Sequence, residues 1–161
     1  MLRRFNVRTY GFLLNELDQV LVSDELIKGK FITKFPGGGV ELGEGIAAAL
    51  VREFQEECAT KITILEHIYT TDFFLQSQWD SESQVISVYY LVACENWKLI
   101  PIGTKKFDFP VVQGVDAENR RWVAINSILK EEALVLPADR VAAGILDARF
   151  PRVGFKLPTK K

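Results

Sequence analysis

Residues 34–60 read KFPGGGVELGEGIAAALVREFQEECAT. Between Glu41 and Glu57 this stretch carries five glutamates, Glu41, Glu44, Glu53, Glu56 and Glu57, against one basic residue, Arg52. Its second half, 46–58, lacks proline and glycine and is rich in Ala, Leu, Glu, Gln and Arg, so a helix is the favoured conformation. On a helix Glu53, Glu56 and Glu57 fall within about 100° of arc. The apolar residues Ala47, Leu50, Val51, Phe54 and Cys58 occupy the neighbouring arc, so one face can bury against a sheet while the acidic edge meets a cleft.

Like charges at i and i+4, as at Glu53 and Glu57, cost an isolated helix about 0.2–0.5 kcal/mol. A hard divalent ion removes that cost, because Mg²⁺ selects oxygen ligands and keeps room for waters and substrate phosphates. Arg52, one turn before Glu56, is placed to hold that carboxylate in one rotamer. The competing reading is a solvated acidic face with an ordinary i,i+4 pair.

The glycines weigh against that competing reading. Pro36-Gly37-Gly38-Gly39 reads as a turn outside any helix or strand, with backbone N–H groups uncovered close to a ligand or to the helix. Glycine-rich loops that feed a helix start also bind phosphate. The stretch is not a P-loop, because no Lys-Ser/Thr follows the glycines, and GEGIAA at 43–48 fits the dinucleotide fingerprint G-x-G-x-x-A only loosely.

The stretch resembles the Nudix box, G-x5-E-x7-R-E-U-x-E-E-x-G-U, where U is a bulky apolar residue. Gly38, Glu44, Arg52, Glu53, Phe54, Glu56 and Glu57 occupy its fixed positions in the same spacing. Two positions depart: Ala59 stands in place of the glycine and Thr60 in place of the apolar residue. Alanine pays a steric cost at positive φ, so an altered helix end is expected, with the metal-facing glutamates untouched.

The rest of the chain is compatible with a small soluble enzyme. With 161 residues, 48% hydrophobic and 25% charged, it is expected to form a single domain with a proper core. A net charge of −1 argues against nucleic-acid polymers and anionic membranes, which call for concentrated basic surface. Cys58 and Cys94 read as buried thiols in preference to a disulfide or metal pair. No apolar run is long enough to span a membrane and no signal-peptide core follows the N-terminal arginines, so the cytoplasm is the expected compartment.

Along the chain, residues 7–15 and 20–24 read as a strand hairpin around the turn at 16–19, and 28–34 as a short strand. Residues 62–69 read as a strand. Residues 85–93, VISVYYLVA, are apolar on both faces and read as a central, doubly covered strand. Residues 73–82 and 97–116 read mainly as loops, 121–125 as a strand, and 126–132 as a turn or short helical piece. Pro137 opens a second helix over 138–150, ended by Pro151, and 152–161 reads as a basic, frayed tail. The pattern suggests a mixed sheet with a helix on each face, and the Nudix resemblance implies the same α/β/α sandwich.

The resemblance further implies hydrolysis of a nucleoside diphosphate linked to another moiety, of nucleotide-sugar, ADP-ribose or nucleoside-triphosphate type. Glu53, Glu56 and Glu57 would hold Mg²⁺ or Mn²⁺ and, with Arg52, form the catalytic set; Gly37, Gly38, Gly39 and Glu44 would position loop and substrate. Glu41 is either a further ligand or a solvated group. The family often takes an acidic ligand from outside the box, and Asp116 and Glu118 are the nearest candidates here, against a solvated-loop reading. The lone histidine, His67, reads as a strand residue with a local partner. Trp79, Trp97, Trp122, Phe73, Phe74 and Tyr89 could stack a base, although core packing accounts for most aromatics. By family analogy a homodimer is an expectation. Two other classes stay open: a Nudix-like module that binds nucleotide without cleaving it, and an acidic-helix interaction domain.

Overall fold

The structure, a computed structural model, describes residues 1–150. Seven strands and two α-helices follow in the order β1 (Arg4–Leu13), β2 (Gln19–Ile27), β3 (Lys30–Lys34), β4 (Gly37–Gly39), α1 (Ile46–Cys58), β5 (Thr63–Thr70), β6 (Ser83–Ala93), β7 (Ala117–Ala124) and α2 (Pro137–Arg149). Single 3-10 turns occupy Trp97–Leu99 and Ile125–Lys130. The expected stop at Pro151 and the basic tail at 152–161 lie outside the described residues.

The strands divide into two sheets. The first, ordered β4-β1-β6-β5, is mixed: β1 and β6 run parallel, and the other pairs antiparallel. The second, β3-β2-β7, is antiparallel. Strand β6 lies between β1 and β5 with most of its residues buried, as its two-sided apolar pattern predicts.

Alternation along the strands separates two cores. Phe12 and Tyr10 of β1, Val20 and Val22 of β2, and Tyr89 and Leu91 of β6 face α2, where Ala138, Ala142 and Leu146 meet them. Leu13, Leu21 and Val92 point the other way, onto Leu50, Phe54 and Cys58 of α1. The helices therefore cover opposite faces, and the expected sandwich is present. Burying a Leu or Phe side chain stabilises by about 1.5–3 kcal/mol, so α1 is held by its apolar face and needs no help from its acidic edge.

Several expectations need correction. Residues 7–15 and 20–24 pair antiparallel only at the turn, through the Leu14–Val20 bridge, and do not continue as a hairpin. Asn15 N–H donates to Gln19 O at 3.0 Å across the turn, but β1 and β2 then enter different sheets, because β4 and β6 already pair with β1 on both sides. The triple glycine is not a turn: Gly37–Gly39 is an edge strand, registered Arg8↔Gly39, Thr9↔Gly38 and Tyr10↔Gly37. It therefore runs antiparallel beside β1 and does not feed the helix start, where Gly45 is the cap. On α1, Ala49 is buried and Ala47 exposed, so the apolar arc is shifted from the expected one.

The end of α1 is not altered either. Ala59 adopts the left-handed conformation, φ 51° and ψ 33°, and its N–H caps Phe54 O, with Thr60 N–H reaching the same carbonyl at 3.4 Å. Alanine takes the glycine's role and bears the steric cost. Among the described residues no helix is long and apolar enough to cross a membrane.

Candidate active site

The glycine strand lies along α1, and the contact explains its composition. A Cβ on Gly38 would stand 2.4 Å from the Glu53 carboxyl carbon, and one on Gly37, whose φ is +140°, would stand 2.1 Å from Thr9 O. Gly37 admits no side chain, because backbone blocks it, and a side chain at Gly38 would have to push the Glu53 carboxylate aside. Pro36 O accepts from Gly11 N–H and Val40 N–H donates to Val7 O, both at 2.9 Å, so the groups of Gly37 and Gly39 turn away from β1. Three side chains meet them. Gly37 N–H donates to Glu57 Oε2 at 3.3 Å, Gly37 O accepts from Lys34 Nζ at 2.9 Å, and Gly39 O accepts from Arg52 Nη2 at 3.0 Å.

Arg52 is a hub. Its guanidinium reaches both oxygens of Glu44 at 3.1 and 2.7 Å, Glu53 at 2.9 Å and Glu56 at 3.2 Å. It therefore orients three carboxylates and not Glu56 alone. Glu44 also accepts from Glu41 N–H at 2.7 Å, tying the loop to the helix, and the Arg52 bond holds Glu44 below the usual carboxylate range. The Glu53 side chain is 13% exposed and that of Glu56 58% exposed.

Glu57 faces inward. Carboxylate oxygens of Glu25 (β2), Glu57 (α1) and Glu118 (β7) lie within 4.8 Å of one another. Lys34 stands 3.0 Å from Glu25, and Arg120 stands 3.0 Å from Glu118 and 3.6 Å from Glu57. Burial pushes Glu57 up to about 6 against the pull of Lys34 and Arg120. Burial also works against the charge of Lys34, but Glu25, Tyr10 and Glu57 outweigh it and hold the ammonium above its ordinary value. A carboxylate trio of this kind, one member costly to ionise, is a fitting donor set for a hard divalent cation.

The other sequence candidates sit elsewhere. Glu41 is exposed and engaged through its backbone. Asp116 accepts from Lys28 N–H at 2.9 Å and is outside the trio. His67 pairs locally with Thr70 at 2.8 Å. Both cysteines are free thiols, Cys58 buried and Cys94 half-buried, and burial pushes Cys58 up to about 12. Of the aromatics, Tyr89 stacks in the core and Trp97 meets Trp122 edge-on. Trp79 instead lines a cleft with Asn6, Arg8, Lys34, Gln78 and Asp139. Arg8 Nε donates to Tyr10 Oη at 2.7 Å. Lys34 belongs both to this cleft and to the carboxylate trio.

Sequence reasoning missed Glu25, Lys34, Arg8 and Arg120. One signal was present: in VLVSDELI, Asp24 and Glu25 interrupt an apolar run on both sides, which marks charge inside a strand. The reading ended that strand at residue 24, just short of Glu25 and three residues before its end at Ile27.

The first helix of the two-sided sandwich presents its glutamates to the glycine strand. The chain belongs to the NUDIX domain family, whose family model matches residues 4–143. No match was found among curated proteins. Solved structures share the fold. A NUDIX hydrolase from Nitrosomonas europaea is 18% identical, with 89% of this chain and 88% of that one covered and a TM-score of 0.65. The MutT protein of methicillin-resistant Staphylococcus aureus 252 is 18% identical, with 93% and 100% covered and a TM-score of 0.62. An ADP-ribose pyrophosphatase from Streptococcus suis is 15% identical, with 91% and 94% covered and a TM-score of 0.55.

Proposed function

We propose that this Nudix pyrophosphohydrolase cleaves the diphosphate linkage of a nucleoside diphosphate joined to another moiety, using Mg²⁺ or Mn²⁺ held by Glu53, Glu56 and Glu57 with Glu118. The observation that carries this reading is the meeting of Glu57 with Glu118 and Glu25, whose oxygens lie within 4.8 Å of one another. When bound, the ion supplies charge neutralisation at the diphosphate and Lewis acidity toward an attacking water.

The chain's own residues do the rest. Arg52 fixes Glu53 and Glu56, so their orientation is set before substrate arrives. Gly37 N–H fixes Glu57. Glu118, 44% exposed against 15% for Glu57 and 7% for Glu25, is the member of the trio most open to water. The organic part of the substrate lies in the cleft beside Trp79, and the diphosphate passes Lys34 and Arg8, whose charges favour a polyanion. The relatives named above include an ADP-ribose pyrophosphatase, which supports a substrate of this kind.

The test is product release from nucleoside triphosphates, nucleotide sugars, ADP-ribose and dinucleoside polyphosphates, with Mg²⁺, with Mn²⁺ and with chelator. Glu57→Gln is expected to lower kcat by at least about 10–100-fold while the fold is kept. Unchanged metal-dependent turnover in that variant would sink the assignment. Silence of the wild type across the panel, with nucleotide-induced thermal stabilisation retained, would make the protein a binding module.

A further inference from the structure

We propose that Arg120 is an internal competitor of the divalent cation: in the ion-free protein it supplies positive charge to Glu57 and Glu118, and it thereby sets how tightly the ion is taken up. This rests on the reading of the carboxylate group given above. Arg120 belongs to β7, paired with Ser23 of β2, and is only 6% exposed. Its Nη2 lies within ion-pair distance of both carboxylates, yet neither Nε nor Nη2 makes a hydrogen bond.

That combination is unusual for a structural arginine, because buried donors without acceptors cost free energy. The next residue shows the ordinary solution. Arg121 donates to Asp24 Oδ2 at 2.5 Å and Oδ1 at 3.1 Å and to Glu131 at 2.8 Å. The Nε and Nη2 groups of Arg120 meet their partners by charge without a well-aligned hydrogen bond, so parting from them sacrifices less directional bonding than it would for Arg121. Lys34 does not share this property, because its ammonium is hydrogen-bonded to Gly37 O.

Charge arithmetic gives the consequence. Five carboxylates, Glu25, Glu53, Glu56, Glu57 and Glu118, face three cations, Lys34, Arg52 and Arg120, for a sum of −2. A divalent ion cancels that sum, and a diphosphate turns it negative again. Arg120 therefore opposes the ion alone and favours the ion together with its polyanionic substrate.

The experiment is a Mn²⁺ titration of metal-stripped protein, read by the paramagnetic resonance of free Mn²⁺, for wild type, Arg120→Met, Arg120→Lys and Glu57→Gln. With a unit charge removed a few ångströms from the ion, Arg120→Met is expected to bind Mn²⁺ about tenfold more tightly than wild type. Arg120→Lys keeps the charge and is expected to stay within about threefold of wild type. Glu57→Gln is expected to bind about tenfold more weakly or worse. Metal-free Arg120→Met should melt below wild type and recover more on adding Mn²⁺. Should Arg120→Met not fold, Arg120→Gln makes the same comparison. Equal or weaker Mn²⁺ binding in the charge-removed variant, with Glu57→Gln weakened, overturns the role of Arg120. Unchanged binding in Glu57→Gln overturns the carboxylate reading itself, and this inference with it.

Discussion

Arg52 and Arg120 both face glutamates of α1, and they do so in opposite ways. Arg52, its side chain 27% exposed, makes five hydrogen bonds to partners that all lie between Gly39 and Glu56. Arg120, its side chain 8% exposed, draws on Glu57 of α1 and Glu118 of β7 and leaves Nε and Nη2 without hydrogen bonds. The outer half of the site is thus assembled by local sequence and bonded to completion. The inner half is assembled by tertiary structure and left electrostatically unfinished. The bonded half provides geometry, and the unfinished half is the part we propose to respond to ions.

On stability, the largest effect should come from breaking the bonded half. Arg52→Met leaves Glu44, Glu53 and Glu56 without their common donor, and an expected loss of about 2 kcal/mol in urea melts should accompany a fall of about 10–100-fold in turnover. Loss of turnover without loss of stability would mean that Arg52 acts on substrate directly. Gly38→Ala should cost about 1–3 kcal/mol and displace the Glu53 carboxylate, since the new methyl would overlap it; a variant as stable and active as wild type would show that the glycine strand is not pressed on α1.

The inner half is tested by pH. Asp139 is pushed up to about 6, first by burial, against the bonds from Tyr89 and Phe35 N–H, and Glu57 is pushed up to about 6 as well. Both groups bind protons more tightly when folded than when unfolded. Without divalent ions, stability should therefore rise by about 1 kcal/mol per group as the pH falls from about 7 to about 5, the gain being complete near the unfolded values. Asp139→Asn should remove about half of that gain, measured as melting temperature against pH; an unchanged slope would place the titration elsewhere. The smallest effect belongs to neither half. Ala59→Gly relieves the positive φ at the end of α1 and should stabilise by about 1 kcal/mol with activity unchanged, and a destabilised variant would show that the alanine methyl is well packed.

The same contrast separates what the sequence made legible from what it hid. Residues 46–58 match α1 because composition, period and the glycine before them agree. Strand β6 was legible because its apolar run is long and lacks breakers. Glu44, Arg52, Glu53, Glu56 and Glu57 stood out because their spacing is local. Glu25, Lys34 and Arg120 did not, because nothing short of the folded pairing of β2 with β3 and β7 brings them to α1. The glycine strand was misread for a related reason: glycine has low strand propensity of its own, and only the edge of β1 imposes the extended form.

That edge strand carries one more consequence. A terminal strand with no side chains is an open template on which another chain can add, the first step toward ordered aggregates. Here three of the outward backbone groups, Gly37 N–H, Gly37 O and Gly39 O, are already taken by Glu57, Lys34 and Arg52. The side chains that prepare the site also stand where an intruding strand would bind, so variants that remove them should be watched for fibril formation on storage as well as for lost turnover.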